Sequence, residues 1–482
     1  MLLNVNQVDR FETETLNLLA DVGLGVKNEE IAGLLQKQGC KYGANGRLRI
    51  PREVAMEVIG SQKLRTKKGK QEMITEDRVT DDSRPVLTDA FNPGPTRYFD
   101  FERGQSVELT PEIADNMLRL AEATPEIGGV HCWWPNTTEP EIESIVNLVR
   151  SLKLTRKVMG LDAIHPKQVK YLVEIGEIVT GESRSLRYLG GSQCMTPPLI
   201  LGDRAAEEIL ERRDCGVPSY FVATMTMVGI SSPITLPGAV VAGAAEILGG
   251  MVAAHTVCPE AEITGGAFVV CANLIGDKMT MTTPEMAWIN AAIRELFQRR
   301  WGGHVITGTQ YSPCTGLPGL QATYENYFMA SAVNQLEGRP PMYAGKGLLA
   351  NGSVGCPEQL ILDIEARSAF RNLHKPVVLN KDSLALNVLR EVISDEGRTF
   401  MDHEHTLQHW GERWIPRLFH WDQPSMSGSK RMGDEQHILS QAHQIWQENL
   451  SRYKAPDWPE ETIRSLDDVE QRARRELLGT SR

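Results

Sequence analysis

No CxxC pair occurs among the eight cysteines of this 482-residue chain, which lie scattered at positions 40, 132, 194, 215, 258, 271, 314 and 356. That spacing excludes a disulfide framework and fits reduced thiols in a cytosolic protein. Positive charge is in deficit: 51 Lys and Arg face 62 Asp and Glu, for a net charge of -11, which argues against general nucleic-acid binding. No basic-then-apolar leader opens the chain. Met1 is followed by LLNVNQVDRFETETLNLL, an amphipathic helix pattern, so secretion and organelle import are not expected and a cytoplasmic location is. No GxGxxG opens a helix after the first strands, which counts against a dinucleotide site. No internal sequence repeat is evident.

An uninterrupted apolar run of membrane length is also missing. The nearest approach is MTMVGISSPITLPGAVVAGAAEILGG at 225–250, in which Glu246 is the single ionisable side chain. A spanning helix needs about 20 consecutive apolar residues, and Ser231-Ser232-Pro233 and Pro237 divide this run into unlike halves. The half before the break, from 218 to 228 (PSYFVATMTMV), is strand-like. The half after it takes Thr235 as N-cap and Pro237 in the first turn, then continues as a Gly- and Ala-rich helix. Small residues let a helix lie close to a sheet. The stretch reads as one buried βα unit of a parallel sheet, and no membrane association is expected.

That unit recurs. Short apolar strands are predicted near 130 (VHCWW), 157 (KVMGLDA), 185 (SLRYLGG), 218 (PSYFVAT), 262 (EITGGAF), 304 (HVITGT) and 341 (PMYAGKG). Helices follow them at 139–152, 166–180, 202–215, 237–255, 284–299, 321–336 and 357–371. PVLTDAF at 85–91 supplies an eighth strand, followed by a hairpin (TRYFDFERGQSVEL) and a helix from Pro111. Eight βα units predict an α/β protein of the TIM (β/α)8 barrel class, with an open doubly wound sheet as the alternative. Three regions follow. Residues 1–84 form a helical segment with an exposed charged loop over 62–84; residues 85–380 form the barrel; residues 381–482 form a helical segment whose end, 455–482, is a charged tail.

In a TIM barrel the site lies at the C-terminal ends of the strands. The residues there include Phe91, His131, Trp133, Trp134, Asp162, His165, Ser192, Gln193, Cys194, Thr224, Thr226, Phe268, Gln310, Tyr311, Tyr343 and Lys346. No pair of acids stands out for acid–base catalysis, and no lysine lies inside a strand to form a Schiff base. No catalytic residue is assigned. A mouth of aromatic and neutral polar groups suits a quaternary ammonium, which a ring face holds by cation–π attraction worth ~0.5–2 kcal/mol. The expected substrate-binding set is Phe91, His131, Trp133, Trp134, Phe268, Gln310, Tyr311, Tyr343 and Lys346. Each has a plainer alternative: Trp133 and Trp134 are adjacent in a strand, so one points inward and one outward. His131 also fits a satisfied core histidine, and Lys346 a solvated loop lysine. The His-rich MDHEHTLQHW puts His405 and His409 at i, i+4, a spacing zinc sites use, beside His403 and Glu404. HExxH is absent and no third ligand is fixed by spacing, so no metal is assigned.

Several long segments carry a family likeness. LLADVGLGVKNEEIAGLLQKQGCKYGANGRLRIP, SSPITLPGAVVAGAAEILGGMVAAH, ITGGAF followed by TTPEMAWINAAI, GSVGCPEQLILDIEA and TFMDHEHTLQHWGERWIPRLF occur in order over residues 14–425. Together they resemble the trimethylamine methyltransferase family. The resemblance implies a TIM barrel with helical additions and transfer of a methyl group from a methylamine to the Co(I) centre of a separate corrinoid protein. The trimethylamine enzymes proper carry pyrrolysine, and this chain is written wholly in the standard alphabet. It therefore resembles the non-pyrrolysine branch, whose members demethylate quaternary amines such as glycine betaine. Where many relatives have a His-rich stretch leading to GYLEGG, this chain has MYAGKGLLANGS at 342–353.

The reading implied is a cytoplasmic homo-oligomer that binds no cofactor of its own. It takes a small quaternary amine and a cognate corrinoid protein as partners. For the carboxylate of a betaine the available donors are Lys346, Gln310, His131, Arg97 and the hydroxyls of Tyr311 and Tyr343, with Lys346 and Gln310 favoured. A metal-dependent TIM-barrel lyase or hydrolase, and a non-catalytic betaine-binding protein, are the alternatives.

Overall fold

The computed structural model describes residues 1–69, 90–91, 95–273, 278–307, 312–338, 346–373, 375–395, 397–419 and 435–479. It is a mixed α/β protein in which short parallel strands neighbour one another in chain order. Ala90–Phe91 pairs with Gly129–Val130, Val130 bridges to Val158, and Leu161 bridges to Leu189. Gln193–Cys194 then pairs with the middle of Ser219–Thr224, that strand with Glu262–Ala267, and Gly265–Gly266 with Val305–Ile306. Seven of the eight predicted strand positions contribute to this succession. The predicted strand at 341 begins outside the described residues, and among the described residues the sheet does not close.

The crossover helices agree closely with the periodicity: Glu143–Leu154, Val169–Thr180, Asp203–Asp214, Leu236–Val257, Pro284–Leu296, Leu320–Glu337 and Pro357–Leu373. The hairpin forms from Arg97–Asp100 and Gln105–Glu108, and Pro111–Ala123 follows with Thr110 capping the N–H of Ile113.

Leu236–Val257 is long and apolar enough to cross a membrane by composition alone, yet it is a core helix. Thr235 occupies its N-cap position without making a side-chain cap bond. One flank lies so close to the sheet that a Cβ on Gly250 would come 2.5 Å from Val222 Cγ1 and 2.7 Å from Met195 Sδ. Its other flank is covered by the N-terminal helix Val5–Asp21, where a Cβ on Gly249 would meet Leu19 and Leu24. Covered on both flanks, the helix has no face that must be polar. The N-terminal segment thus shares one hydrophobic cluster with the sheet, from Leu16, Leu19 and Ile31 to Val222, Ile247 and Val252.

Two expectations at the ends are corrected. The helix Arg52–Gly69 runs into the predicted 62–84 loop, because Gln, Lys, Leu and Arg at 62–68 are good helix formers whatever their charge. The predicted charged tail contains the helix Glu460–Leu478, which packs on Glu143–Leu154 and Val169–Thr180 through buried Leu466, Val469 and Ala473. A narrow apolar stripe on a highly charged helix is easily taken for solvated chain when only its charge is counted.

Candidate functional site

The parallel strands deliver their following residues to one end of the sheet, and those residues carry charge of both signs. His131 directly follows Gly129–Val130, and its Nδ1 lies 3.1 Å from the carbonyl oxygen of Gly160. A carbonyl can only accept, so Nδ1 holds the proton and Nε2 presents a lone pair. Burial lowers the imidazole pKa to about 4 and the charge of Lys346 lowers it too, against the opposing bond to Gly160. His131 is therefore neutral at pH 7.

Lys346 is half-buried, and burial brings its pKa down to about 8. Its backbone is anchored next door. The Gly347 N–H donates to Asp363 Oδ2 at 2.9 Å, while Asp363 Oδ1 accepts from Asn326 at 3.1 Å and Gln359 at 2.9 Å. Those bonds fix the loop to helices Leu320–Glu337 and Pro357–Leu373.

Asp162, at the end of the KVMGLDA segment, is exposed at the mouth but closely surrounded by protein. Burial raises its carboxyl above the usual range and Glu208 adds to this, while Arg204 and Arg212 oppose it. Among the described residues nothing hydrogen-bonds or ion-pairs with that carboxylate. Gly191 makes room for it: its φ is +78°, and a Cβ there would stand 2.1 Å from Asp162 Oδ1. Ser192 Oγ and Cys194 Sγ are 2.9 Å apart on the neighbouring segment. Burial raises the Cys194 thiol, Ser192 lowers it and Asp162 raises it. This thiol is not activated.

Alternation sends Gln193 to the opposite side, into a buried network. Glu208 Oε1 accepts from Gln193 at 2.7 Å and Arg212 at 2.9 Å, and Arg212 donates onward to the carbonyls of Gly190 at 2.7 Å and Ser219 at 3.1 Å. This charge-assisted network holds the Gly190–Cys194 segment in place under Ser192 and Cys194. Thr224 and Thr226 also turn away from the mouth. Both hydroxyls donate to Glu246, which accepts the Leu199 N–H at 2.8 Å as well. The lone ionisable residue of the long apolar run is thus a satisfied core carboxyl.

The structure brings together only part of the expected set. His131 and Lys346 are electrostatically coupled neighbours. Trp133 is 2% exposed and packs in the core; its ring lies where a Cβ on Gly355 would be, 2.2 Å from Cη2. Trp134 is half-buried against the cluster containing Leu148, Leu172 and Leu466. Phe268 is 4% exposed and meets Phe221 edge-on, with centroids 6.0 Å apart. These three rings do not form an open cage, because the strand ends pack them into neighbouring apolar surface. Arg97 is engaged within its hairpin, donating to Ser106 Oγ and the Ser106 carbonyl. His165 accepts the Lys167 N–H as a helix cap. Gln310, Tyr311 and Tyr343 lie outside the described residues, as does the side chain of Phe91. Asp162 stood in the strand-end inventory but not in the expected binding set; an acid without a second acid beside it gave no signal for acid–base chemistry.

The strand ends therefore carry an ammonium at Lys346, an open carboxyl at Asp162 and a neutral imidazole at His131 that is coupled to Lys346 and faces the Gly160 carbonyl. The surface clefts of about 610 and 360 Å³ contain none of these groups.

Comparison with known proteins follows the same outline. The family model for trimethylamine methyltransferase (MTTB) matches residues 1–477. Trimethylamine methyltransferase MttB of Methanosarcina barkeri (strain Fusaro / DSM 804) is 29% identical over 199 residues, 41% of this chain and 39% of that protein. Against this relative the match thus spans about two fifths of its length. The glycine betaine methyltransferase of Desulfitobacterium hafniense (strain Y51) is 22% identical over 467 residues, covering 94% of this chain and 93% of that protein. A crystal structure of the hydroxylamine MtmB complex covers 98% of this chain and 93% of its own at 10% identity, with a TM-score of 0.39, too loose a likeness to carry an argument. A match running through the N-terminal layer, the parallel strands and the C-terminal helices alike settles the membership: this chain belongs to the trimethylamine methyltransferase family.

Proposed function

We propose that this chain is a cytoplasmic methyltransferase that moves a methyl group from a quaternary amine to the Co(I) centre of a cognate corrinoid protein, with glycine betaine as the leading substrate. The observation that carries this reading is a chain of neighbours at the strand ends: Lys346 is coupled to His131, and His131 faces the carbonyl of Gly160, two residues before the open carboxyl of Asp162. A betaine has both an ammonium and a carboxylate. Asp162 would face the first and Lys346 the second, with Gln310 as a further donor to the carboxylate. Matching both ends offsets the cost of taking a zwitterion out of water.

The reaction asks little acid–base chemistry of the protein. Co(I) supplies the electron pair of the new Co–C bond, the C–N pair stays on nitrogen, and the amine leaves neutral without needing a proton. Holding the methyl in line with the incoming cobalt is then the main contribution. The scarcity of paired acids and the unactivated Cys194 thiol are consistent with that. No cofactor of its own enters this scheme, since the corrinoid arrives as a substrate on the partner. We read the parallel strands as a TIM barrel over 85–380 with helical additions at each end. We also read the chain as a homo-oligomer, because among the described residues nearly half of the exposed large apolar side chains lie between Leu373 and Ile415, where a second copy would cover them.

The test mixes the chain with reduced corrinoid protein and a panel of amines, following methyl-cobalamin absorbance. Methylation by glycine betaine and none by trimethylamine is expected. Methylation by trimethylamine alone, or by no amine in the panel, would sink the proposal.

A further inference from the structure

The segment between helix Pro357–Leu373 and Leu418 has almost no core. Among the described residues from 375 to 417, Val392 is the single buried side chain. Five short pieces nevertheless hold a defined arrangement there: Lys381–Leu384, Leu386–Ile393, Phe400–Asp402, Glu404–His409 and the turn Trp410–Glu412. Apolar burial cannot hold so small a unit, and natural units of this size use staples such as a disulfide or a metal. Every cysteine of the chain lies elsewhere.

What joins these pieces is a polar cluster. His405 and His409 stand one turn apart on Glu404–His409, with ring centroids 4.3 Å apart. Both turn toward Asp382 on the first piece: His409 Nε2 is 3.1 Å from Asp382 Oδ2, and His405 Nε2 is 3.2 Å from the Asp382 carbonyl oxygen. The other ring nitrogen of His409, Nδ1, lies 2.8 Å from Glu412 Oε1. Both His409 nitrogens thus face carboxylates, as in an imidazolium donating to each; a cation bound between Nε2 and Asp382 would take the place of the Nε2 proton and leave Nδ1–H on Glu412. Carboxylate–histidine–metal relays have this form. His403 and Glu404, the other members of the His-rich stretch, are engaged elsewhere: His403 Nδ1 accepts the His405 N–H and its Nε2 faces Glu391, while Glu404 accepts from Gln408.

We propose that Asp382, His405 and His409 bind a zinc ion as a structural staple, with Glu412 orienting His409. Their ligand atoms already lie within 4.8 Å of one another. Tetrahedral bonds of about 2.0–2.1 Å bring such atoms to roughly 3.3 Å apart, a change within the reach of side-chain rotation. Two imidazoles and one carboxylate are a borderline N/O set suited to zinc, and water completes the four. The absence of HExxH left this invisible in sequence, because the third ligand lies more than 20 residues upstream. The zinc takes no part in methyl transfer.

The full chain, stripped with EDTA, is titrated with Zn(II) against a chromophoric chelator and then digested with a protease of broad specificity. One zinc per chain is expected, with cleavage between 373 and 415 slowed on binding. The double variant His405→Ala/His409→Ala should lose that zinc. Glu412→Gln should weaken it by about 10–100-fold. Because the eight cysteines could hold metal adventitiously, Co(II) is used as a spectroscopic substitute. A tetrahedral visible band without thiolate charge transfer supports the site, and thiolate charge transfer overturns it. Should the double variant fail to fold, Asp382→Asn on its exposed piece replaces it. Absence of stoichiometric zinc in the parent chain, or undiminished zinc in the variants, removes the proposal.

Discussion

Two side chains decide what the mouth can hold, and burial shifts them in opposite directions, Lys346 down and Asp162 up. Burial lowers Lys346 to about 8, so its ammonium is present below that pH and lost as pH rises through it. Asp162 is shifted the other way, chiefly by burial, so its carboxylate is lost as pH falls through a value above the usual carboxylate range. Betaine affinity should therefore fall on both limbs, whereas choline, which has no carboxylate, should lose affinity only on the acid limb. Isothermal titration across pH 5 to about 9.5 checks this, and an alkaline loss for choline equal to that for betaine would remove Lys346 from the site. Lys346→Met should weaken betaine by ~1.5–3 kcal/mol, the range of a hydrogen bond to a charged group, and leave choline nearly unchanged. Asp162→Asn should weaken both ligands, since both carry the ammonium. If Asp162→Asn instead spares choline, the ammonium is held elsewhere and the mouth's polarity is reversed. Lys346 and His131 could be nominated from sequence because they follow predicted strands. The open carboxylate of Asp162 could not, because what leaves it open is the backbone of Gly191 on another segment.

At the scale of elements, agreement between pattern and structure is best where the repeat is local. Helices Asp203–Asp214, Pro284–Leu296 and Leu320–Glu337 fall within a few residues of their predicted bounds, since caps and apolar spacing act over a single turn. The Leu236–Val257 helix shows what local pattern leaves out. Its Gly and Ala content pointed to close packing on a sheet; the second cover, from Val5–Asp21, depends on a segment more than 200 residues away. Gly250→Val tests the close approach. Two added methyl groups must displace Val222 and Met195, and thermal unfolding should show a loss of ~1–3 kcal/mol, typical of overpacking a dense core. An unchanged melting temperature would mean that the helix stands further from the sheet than described. Trp133 and Trp134 were expected to divide between pocket and exterior. Their strand end lies between two apolar clusters, and both rings pack into them.

For the whole molecule, the expectation is an assembly of 53.6 kDa chains. Leu379, Ile393, Met401 and Leu407 are all exposed on the segment that follows helix Pro357–Leu373. Light scattering should give a mass that is a multiple of the single chain, and Leu379→Asp with Ile393→Asp should reduce it. A parent chain that is monomeric at micromolar concentration would leave that surface to some other partner. The alternation of strand and helix, the burial of the 225–250 run and the family resemblance were all legible in the residues themselves, because hydrophobic periodicity and capping are properties of neighbours in sequence. Three things were decided only by the tertiary structure: that the N-terminal helices complete the core, that Gly191 leaves Asp162 open while Lys346 comes to His131, and that Asp382 meets His405 and His409. Each depends on which distant segments pack together, and no repeat within a single element encodes that.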